Sequence, residues 1–118
     1  MVQAIQQEAI NSSLKTTINL LISGRKLKDL DVMSKSDPVC ILYEKVNGQW
    51  SKIGTTEQIK NNLNPDFTKA FEMSYFFERN QEVRFLMIDG DGHGDYDTIG
   101  TVETTIGAIM GAKQQTFS

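Results

Sequence analysis

The sequence has few of the residues that cross-link chains or bind soft metals. It contains one cysteine, Cys40, so an internal disulfide is excluded and a reducing compartment such as the cytoplasm is the expected setting. The neighbours Val39 and Ile41 predict that Cys40 is a buried strand residue rather than a reactive one. The only histidine, His93, has no cysteine or second histidine to complete a zinc site. We therefore expect His93 to be an exposed loop residue.

Long apolar segments are also missing. No run approaches the roughly 20 residues that cross a bilayer, and the first residues lack the charged and apolar regions of a secretory signal. A length of 118 residues with 39% hydrophobic content predicts a single globular domain. Residues 1–13 are polar and weakly patterned, so we expect a disordered leader at 1–13 and the domain at 14–118.

The formal net charge of −3 is small, but the acidity is concentrated in a few places. Without five of the aspartates, the formal charges of the remaining residues sum to +2. This distribution argues against general nucleic-acid binding and against a disordered acidic chain. The five residues are Asp31, Asp37, Asp89, Asp91 and Asp97.

The segment 89–97, with the sequence DGDGHGDYD, carries four carboxylates separated by glycines and follows the apolar run 85–88. Glycine lets a backbone fold tightly around a small object, and aspartate oxygens bind hard cations. Two carboxylates about 4 Å apart repel by roughly 1 kcal/mol in water and by about 4 kcal/mol near a protein surface. A cluster of them needs a counter-ion, and calcium is the cofactor that fits best.

Other interpretations of this segment fit its residues less well. An EF-hand loop begun at Asp89 would have His93 at its fifth position and Gly100 in place of the bidentate glutamate, with strands on both sides. A glycine–aspartate β-helix repeat requires repetition, which the sequence lacks. A solvated acidic loop that binds no metal stays open as an alternative.

A second acidic loop lies at residues 29–38. Its aspartates, Asp31 and Asp37, are six residues apart in a stretch rich in turn formers. Pro38 follows directly and predicts the first residue of a strand, because proline cannot donate to a β-ladder.

Most of the chain alternates between apolar and polar residues, as half-buried strands do. Short strands at a spacing of about 8–12 residues predict an all-β antiparallel sandwich. Asn47-Gly48 predicts a hairpin, and Thr105 is the predicted N-cap of a short helix near the C-terminus. Predicted strands lie at 14–22, 39–46, 49–54, 55–60, 67–75, 83–88 and 99–102. The predicted core residues are Phe67, Phe71, Met73, Phe85 and Met87, with Trp50, Ile53, Phe76 and Phe77 as further packing residues.

Three motifs together carry a family resemblance: Leu30-Asp31 with Ser36-Asp37-Pro38, then Leu63-Asn64-Pro65-x-Phe67, then Asp89-x-Asp91 with Asp97-x-Ile99-Gly100. In this order they resemble the C2 domain, an eight-stranded β-sandwich that binds phospholipid in a calcium-dependent manner. The stretches 31–38, 53–57, 61–65 and 75–78 look most like the first C2 domain of a copine. The resemblance covers about residues 14–110.

The resemblance also has departures. Copines carry a second C2 domain and an integrin-type A domain, so the remaining domains of a larger copine-like chain are absent here and a fragment is expected. The chain ends after the predicted helix, where the family continues to a final strand. Either the sandwich is one strand short or the N-terminal leader covers part of that edge.

Carried over by position, the resemblance implies a metal site and a membrane-contacting surface. The implied calcium ligands are Asp31 and Asp37 from one loop with Asp89, Asp91 and Asp97 from the other. Further candidate ligands are Asp95 and the carbonyls of Leu30 and Gly90, and surface solvation is the alternative for Asp95. The implied membrane-contacting residues are Val32, Met33 and His93, and packing against the neighbouring loop is the alternative for Val32 and Met33. A candidate phosphoinositide patch, or a solvated face, comprises Arg25, Lys26, Lys28, Lys52 and Lys60.

The expected function is non-enzymatic: calcium-dependent binding to an anionic phospholipid membrane, which recruits the parent protein from the cytoplasm to the inner face of membranes when calcium rises. The alternative is a calcium-independent protein–protein interaction module on the same fold. Metal-assisted phosphoester cleavage is disfavoured, because no general base or nucleophile stands apart from the acidic cluster.

Overall fold

A computed structural model describes residues 2–5, 15–27, 36–90 and 96–112. Within these ranges, seven strands form two antiparallel sheets, and one short helix follows the last strand. The three-stranded sheet has the order β1-β2-β5 and the four-stranded sheet the order β4-β3-β6-β7. The predicted all-β antiparallel sandwich is therefore confirmed. The elements are β1 Val2–Ile5, β2 Lys15–Leu20, β3 Pro38–Val46, β4 Gln49–Thr55, β5 Phe71–Phe76, β6 Glu82–Asp89, β7 Asp97–Thr105 and α1 Ile106–Met110.

The core lies between the two sheets and follows the alternation that the sequence shows. Phe67, Phe71, Met73 and Phe85 are buried, and Met87 packs against them as a partly buried side chain. The predicted core stripe is therefore confirmed. The other buried members of this cluster are Ile18, Leu20, Ile22, Cys40, Leu42, Val83, Ile106 and Ile109.

Cys40 is a fully buried residue of β3, as predicted. Its backbone N–H donates to Thr56 Oγ1 at 2.9 Å, and its carbonyl accepts from the Thr56 N–H at 2.9 Å. Burial raises the pKa of the Cys40 thiol to about 12. The thiol therefore stays protonated at neutral pH and acts as a small apolar core group.

The predicted local signals take the expected conformations. Asn47 and Gly48 have φ angles of 52° and 79° and join β3 to β4, as a tight hairpin turn requires. Thr105 caps α1, because its hydroxyl accepts from the Ala108 N–H at 3.1 Å. Pro38 is the first residue of β3. The short C-terminal helix is confirmed.

The first residues differ from the expected disordered leader. Val2–Ile5 form β1, which pairs antiparallel with β2 from Val2 opposite Leu20 to Ile5 opposite Thr17. The local pattern is too short to predict a strand, but the edge of β2 offers unpaired backbone groups that stabilise one. β1 therefore covers one edge of the three-stranded sheet.

The other edge of this sheet is β5, which has β2 as its neighbour on one side only among the described strands. The buried side-chain amide of Gln81 bonds to this strand. Its Nε2 donates to Ser74 O at 2.8 Å, and its Oε1 accepts from Phe76 N at 2.9 Å. Residues i and i+2 of a strand present their backbone groups to the same side. The Gln81 amide therefore takes the place of an adjacent strand for these two groups.

Some predicted packing residues lie outside the core. Phe77 is 60% exposed and Ile53 is 40% exposed, so neither closes the core as expected. Trp50 is half-buried on β4, with the Arg84 guanidinium 4.4 Å from its ring centroid. The predicted strand 55–60 is wrong beyond Thr55, where β4 ends: residues 56–59 form no regular strand. The Thr56 and Ile59 N–H groups still donate to carbonyls of β3, but as isolated hydrogen bonds. No helix in the described part of the chain is long and apolar enough to cross a membrane.

Candidate metal site

Three of the five predicted ligands lie at one end of the four-stranded sheet. Asp37 directly precedes β3, Asp89 ends β6 and Asp97 begins β7. The register pairs Pro38 with Asp89, and Asp89 with Asp97. Directly opposed residues of antiparallel strands have Cα atoms about 4.5–5.5 Å apart. The sheet therefore brings residues that are 52 and 60 positions apart in the sequence to a common end.

Hydrogen bonds join Asp37 and Asp89. The Asp37 N–H donates to Asp89 Oδ1 at 2.9 Å, and the Gly90 N–H donates to the Asp37 carbonyl at 3.3 Å. Gly90 has φ = 150°, a backbone conformation that residues other than glycine rarely adopt. The last residue of β6 and the residue before β3 are thus held together by backbone as well as by side-chain contacts.

The asparagine-rich segment 58–62 supports this end of the sheet. Asp37 Oδ1 accepts from the Asn61 N–H at 2.7 Å, and Gln58 Nε2 donates to the Gly90 carbonyl at 2.6 Å. Asn61 has φ = 49°, which directs its N–H towards the carboxylate. The sequence places Asn61 in the copine-like stretch 61–65 but did not reveal that it and Gln58 bond to the aspartate-bearing elements. The residue type was the one signal available, because asparagine adopts positive φ more readily than most residues.

Several predicted site residues lie outside the described part of the chain. These are Leu30, Asp31, Val32, Met33, Asp91, His93 and Asp95. Their roles therefore stay predictions. Of the predicted carbonyl ligands only Gly90 is described, and its oxygen accepts the Gln58 hydrogen bond. A carbonyl has two lone pairs, so this bond leaves acceptor capacity.

The described aspartates fit a hard cation in donor type and in placement. Asp37 and Asp89 are half-buried and Asp97 is exposed, so the acidic end is open to solvent. Each carboxylate has about four acceptor directions, so one bond to a backbone N–H does not exhaust it. In the described ranges, no three His, Cys, Asp or Glu side chains converge closely enough to enclose a metal ion by themselves. A complete ligand shell would need further oxygens, from the predicted ligands outside these ranges, from water or from lipid.

One basic residue of the candidate phosphoinositide patch, Arg25, makes contacts that stabilise the fold. Arg25 Nη2 lies 2.8 Å from Asp66 Oδ1, and Arg25 Nη1 donates to the Gly24 carbonyl at 2.6 Å. This side chain therefore holds segment 23–27 against segment 63–67 rather than extending freely into solvent. Lys52 and Lys60 are exposed.

A profile of the C2 domain family matches residues 16–118. With a sandwich of this topology and acidic residues at one end, the chain belongs to the C2 domain family. Its sequence is copine-like: it is 44% identical over 108 residues to Copine-E of Dictyostelium discoideum. It is also 39% identical over 125 residues to Nicotinic receptor-associated protein 1 of Caenorhabditis elegans. Each alignment covers 86% of this chain, which spans about a fifth of the length of these relatives (19% and 20%).

Solved structures with the same fold include BON1-C2B, with a TM-score of 0.66 and 25% identity over 84% of this chain and 69% of that one. Human GIVD cytosolic phospholipase A2 aligns with a TM-score of 0.65 and 18% identity, over 92% of this chain and 14% of that enzyme. At 18% identity this second likeness shows the fold alone. C2 domains and copine-like relatives are typically non-catalytic binding modules, and they generally bind membranes in the presence of calcium.

Proposed function

We propose that this chain is a non-enzymatic, calcium-dependent domain that binds anionic phospholipid and brings a larger copine-like protein from the cytoplasm to the inner face of membranes. The observation that carries the proposal is the meeting of Asp37, Asp89 and Asp97 at one end of the sheet. Like charges directly opposed across two strands, as Asp89 and Asp97 are, lower stability, and a bound cation would compensate their charge. Membership of a calcium-binding family supports the same conclusion.

The described ligands in this proposal are Asp37, Asp89 and Asp97, and the remaining ones are Asp31 and Asp91. Asp95 and the carbonyls of Leu30 and Gly90 are additional candidates. When bound, calcium supplies positive charge and coordination positions that lipid phosphate or carboxylate oxygens can fill. Two ions would move the formal net charge from −3 to +1. Repulsion from an anionic leaflet would fall accordingly.

In this proposal some residues orient the calcium ligands and others contact the membrane. The bond from the Asp37 N–H to Asp89 Oδ1 orients the Asp89 carboxylate, and the Asn61 N–H does the same for Asp37. Orientation of ligands before binding reduces the entropy that binding must overcome. Val32, Met33 and His93 are the proposed membrane-contacting residues, with Val32 and Met33 as the apolar contacts with the headgroup region.

Vesicle co-sedimentation tests the proposal. We expect the chain to pellet with phosphatidylcholine vesicles that contain phosphatidylserine when calcium is present, and to stay in the supernatant with EGTA. Asp89→Asn should abolish calcium-dependent pelleting while the variant keeps the wild-type circular dichroism spectrum. Asp66→Asn removes the same charge from a carboxylate that pairs with Arg25, and should pellet as the wild type does. Pelleting that a folded protein shows equally in EGTA would contradict the proposal.

A second candidate function is a protein-interaction module that needs no calcium. The observation that favours it is the exposed Phe77 at the turn after β5, at the opposite end of β6 from Asp89. The Phe77 side chain is 60% exposed, and its ring packs edge-on against Tyr75 with 5.1 Å between centroids. Exposed aromatic side chains are frequent anchors of protein interfaces. This candidate predicts partner binding that is unchanged in Asp89→Asn and reduced in Phe77→Ser.

A further inference from the structure

A pocket of about 270 Å³, partly open to solvent, lies between the four-stranded sheet and the segment 22–27, towards the end of the sandwich that carries the aspartates. Its walls are mainly apolar side chains from the segment after β2 and from β6 and β7. An engineered apolar cavity of roughly 150 Å³ binds benzene. A space of this size is therefore large enough for a small apolar group. The main apolar wall residues are Ile22, Leu27, Phe85, Met87 and Val102.

Gly100 is an independent sign that this space is kept open. The register places Gly100 opposite Met87 and Val102 opposite Phe85, so Gly100 lies on the inward face of β7. A Cβ atom built on Gly100 would meet no atom within 4 Å, and Gly100 is not among the described positive-φ glycines. Gly100 also adjoins the bulge at Met87 and Ile88. Glycine inside a strand often marks a bulge or the close approach of a ligand, and the open space beside Gly100 is what a ligand would need.

The polar groups at the pocket indicate the charge of its occupant. Ser23 and Lys26 contribute to its lining, and Lys26 is exposed. Lys26 takes part in none of the three ion pairs found in the described ranges. Backbone contacts hold this residue in place: its N–H donates to Asn64 Oδ1, and the Leu27 N–H donates to the Leu63 carbonyl, both at 2.9 Å. A lysine whose backbone is anchored at the rim of an apolar pocket favours a ligand with an anionic head and an apolar tail.

We propose that this pocket binds the alkyl chain of a medium-chain fatty acid of about twelve carbons, with the carboxylate near Lys26. The volume suits one chain rather than the two chains of a diacyl phospholipid, and the single cation suits one anionic head. The site shares no residue with the aspartate cluster. Fatty-acid binding therefore needs no calcium and does not depend on the proposed membrane function.

The test uses laurate as the probe, below its micelle concentration, in EGTA, with affinity measured by titration calorimetry. We expect saturable binding and a rise in melting temperature with laurate. Gly100→Ile should fill the space, raise the melting temperature without ligand and weaken laurate binding by about tenfold or more. Thr101→Ile is the matched control, because this neighbouring residue is exposed and should leave laurate binding unchanged. If Gly100→Ile fails to fold, Gly100→Ala provides the same comparison with a smaller expected loss.

The head group is tested separately. Lys26→Gln should weaken laurate binding by about two- to fivefold but leave binding of the neutral dodecanol unchanged. Absence of laurate binding to the folded wild type would overturn the proposal, as would a folded Gly100→Ile that binds laurate with wild-type affinity. A third outcome would also overturn the fatty-acid proposal: the wild type binds no laurate, and Gly100→Ile loses vesicle binding. That result would show that a membrane lipid enters the pocket instead. A failed vesicle assay with intact laurate binding would contradict only the proposed membrane function.

Discussion

Replacement of Asp97 by asparagine should stabilise the calcium-free domain. Asp97 is the Cα partner of Asp89 across β6 and β7, and directly opposed strand residues lie about 5 Å apart. Two unit charges at this separation repel by about 0.8 kcal/mol at the dielectric constant of water and by about 3 kcal/mol at an effective value of 20. Asp97 is exposed, and physiological salt with its screening length of about 8 Å weakens the repulsion further. We therefore expect a gain of about 0.5–1 kcal/mol.

The assay is thermal unfolding in EGTA. For a domain of this size, the expected gain corresponds to a rise in Tm of about 2–4 °C. In the presence of calcium the wild type should have the higher Tm of the two proteins. The reason is that a ligand at 100 times its Kd adds about 2.7 kcal/mol to the stability of the form that binds it. Asp97→Asn should show a much smaller calcium-induced rise than the wild type.

Asp66→Asn is the matched control for this prediction. It also removes one negative charge, but Asp66 Oδ1 lies 2.8 Å from Arg25 Nη2, and exposed ion pairs stabilise by about 0–1 kcal/mol. Its Tm in EGTA should be unchanged or lower, and its calcium response should match the wild type. If Asp97→Asn and Asp66→Asn shift the Tm equally and in the same direction in EGTA, the aspartates do not form a repulsive cluster and the reasoning fails.

Three further predictions follow from contacts in the fold. Gly54→Val should lower the free energy of unfolding by about 1–3 kcal/mol in a urea titration, because a Cβ there would lie 2.7 Å from the buried Phe71 ring. Gln81→Leu should lower it by about 2–4 kcal/mol, because the amide bonds to two backbone groups of β5; an unchanged Tm would contradict this role. Burial alone would raise the pKa of Glu57, but hydrogen bonds from Thr68 and its neighbours outweigh burial and lower this pKa. The stability that Glu57 contributes is therefore present above pH 4.5 and lost as the pH falls below it, so Glu57→Gln should differ most from the wild type near neutral pH.

The sequence alone determined the features that depend on neighbours along the chain. Alternation predicted most of the strands, Asn47-Gly48 the hairpin and Thr105 the helix cap, because each signal acts over a few residues. The concentration of aspartates in two loops likewise predicts a metal site, which stays a proposal. Together with the motif order, these signals identified the fold class.

Only the tertiary structure decided which residues from distant parts of the chain meet. Strand register brings Asp97 opposite Asp89 and Pro38 opposite Asp89, and no local pattern encodes that pairing. The same holds for the Gln81 amide on the edge of β5 and for the space beside Gly100. The physical reason is that each of these contacts depends on how two sheets and their loops pack, whereas hydrophobic periodicity reports only which face of each strand is buried.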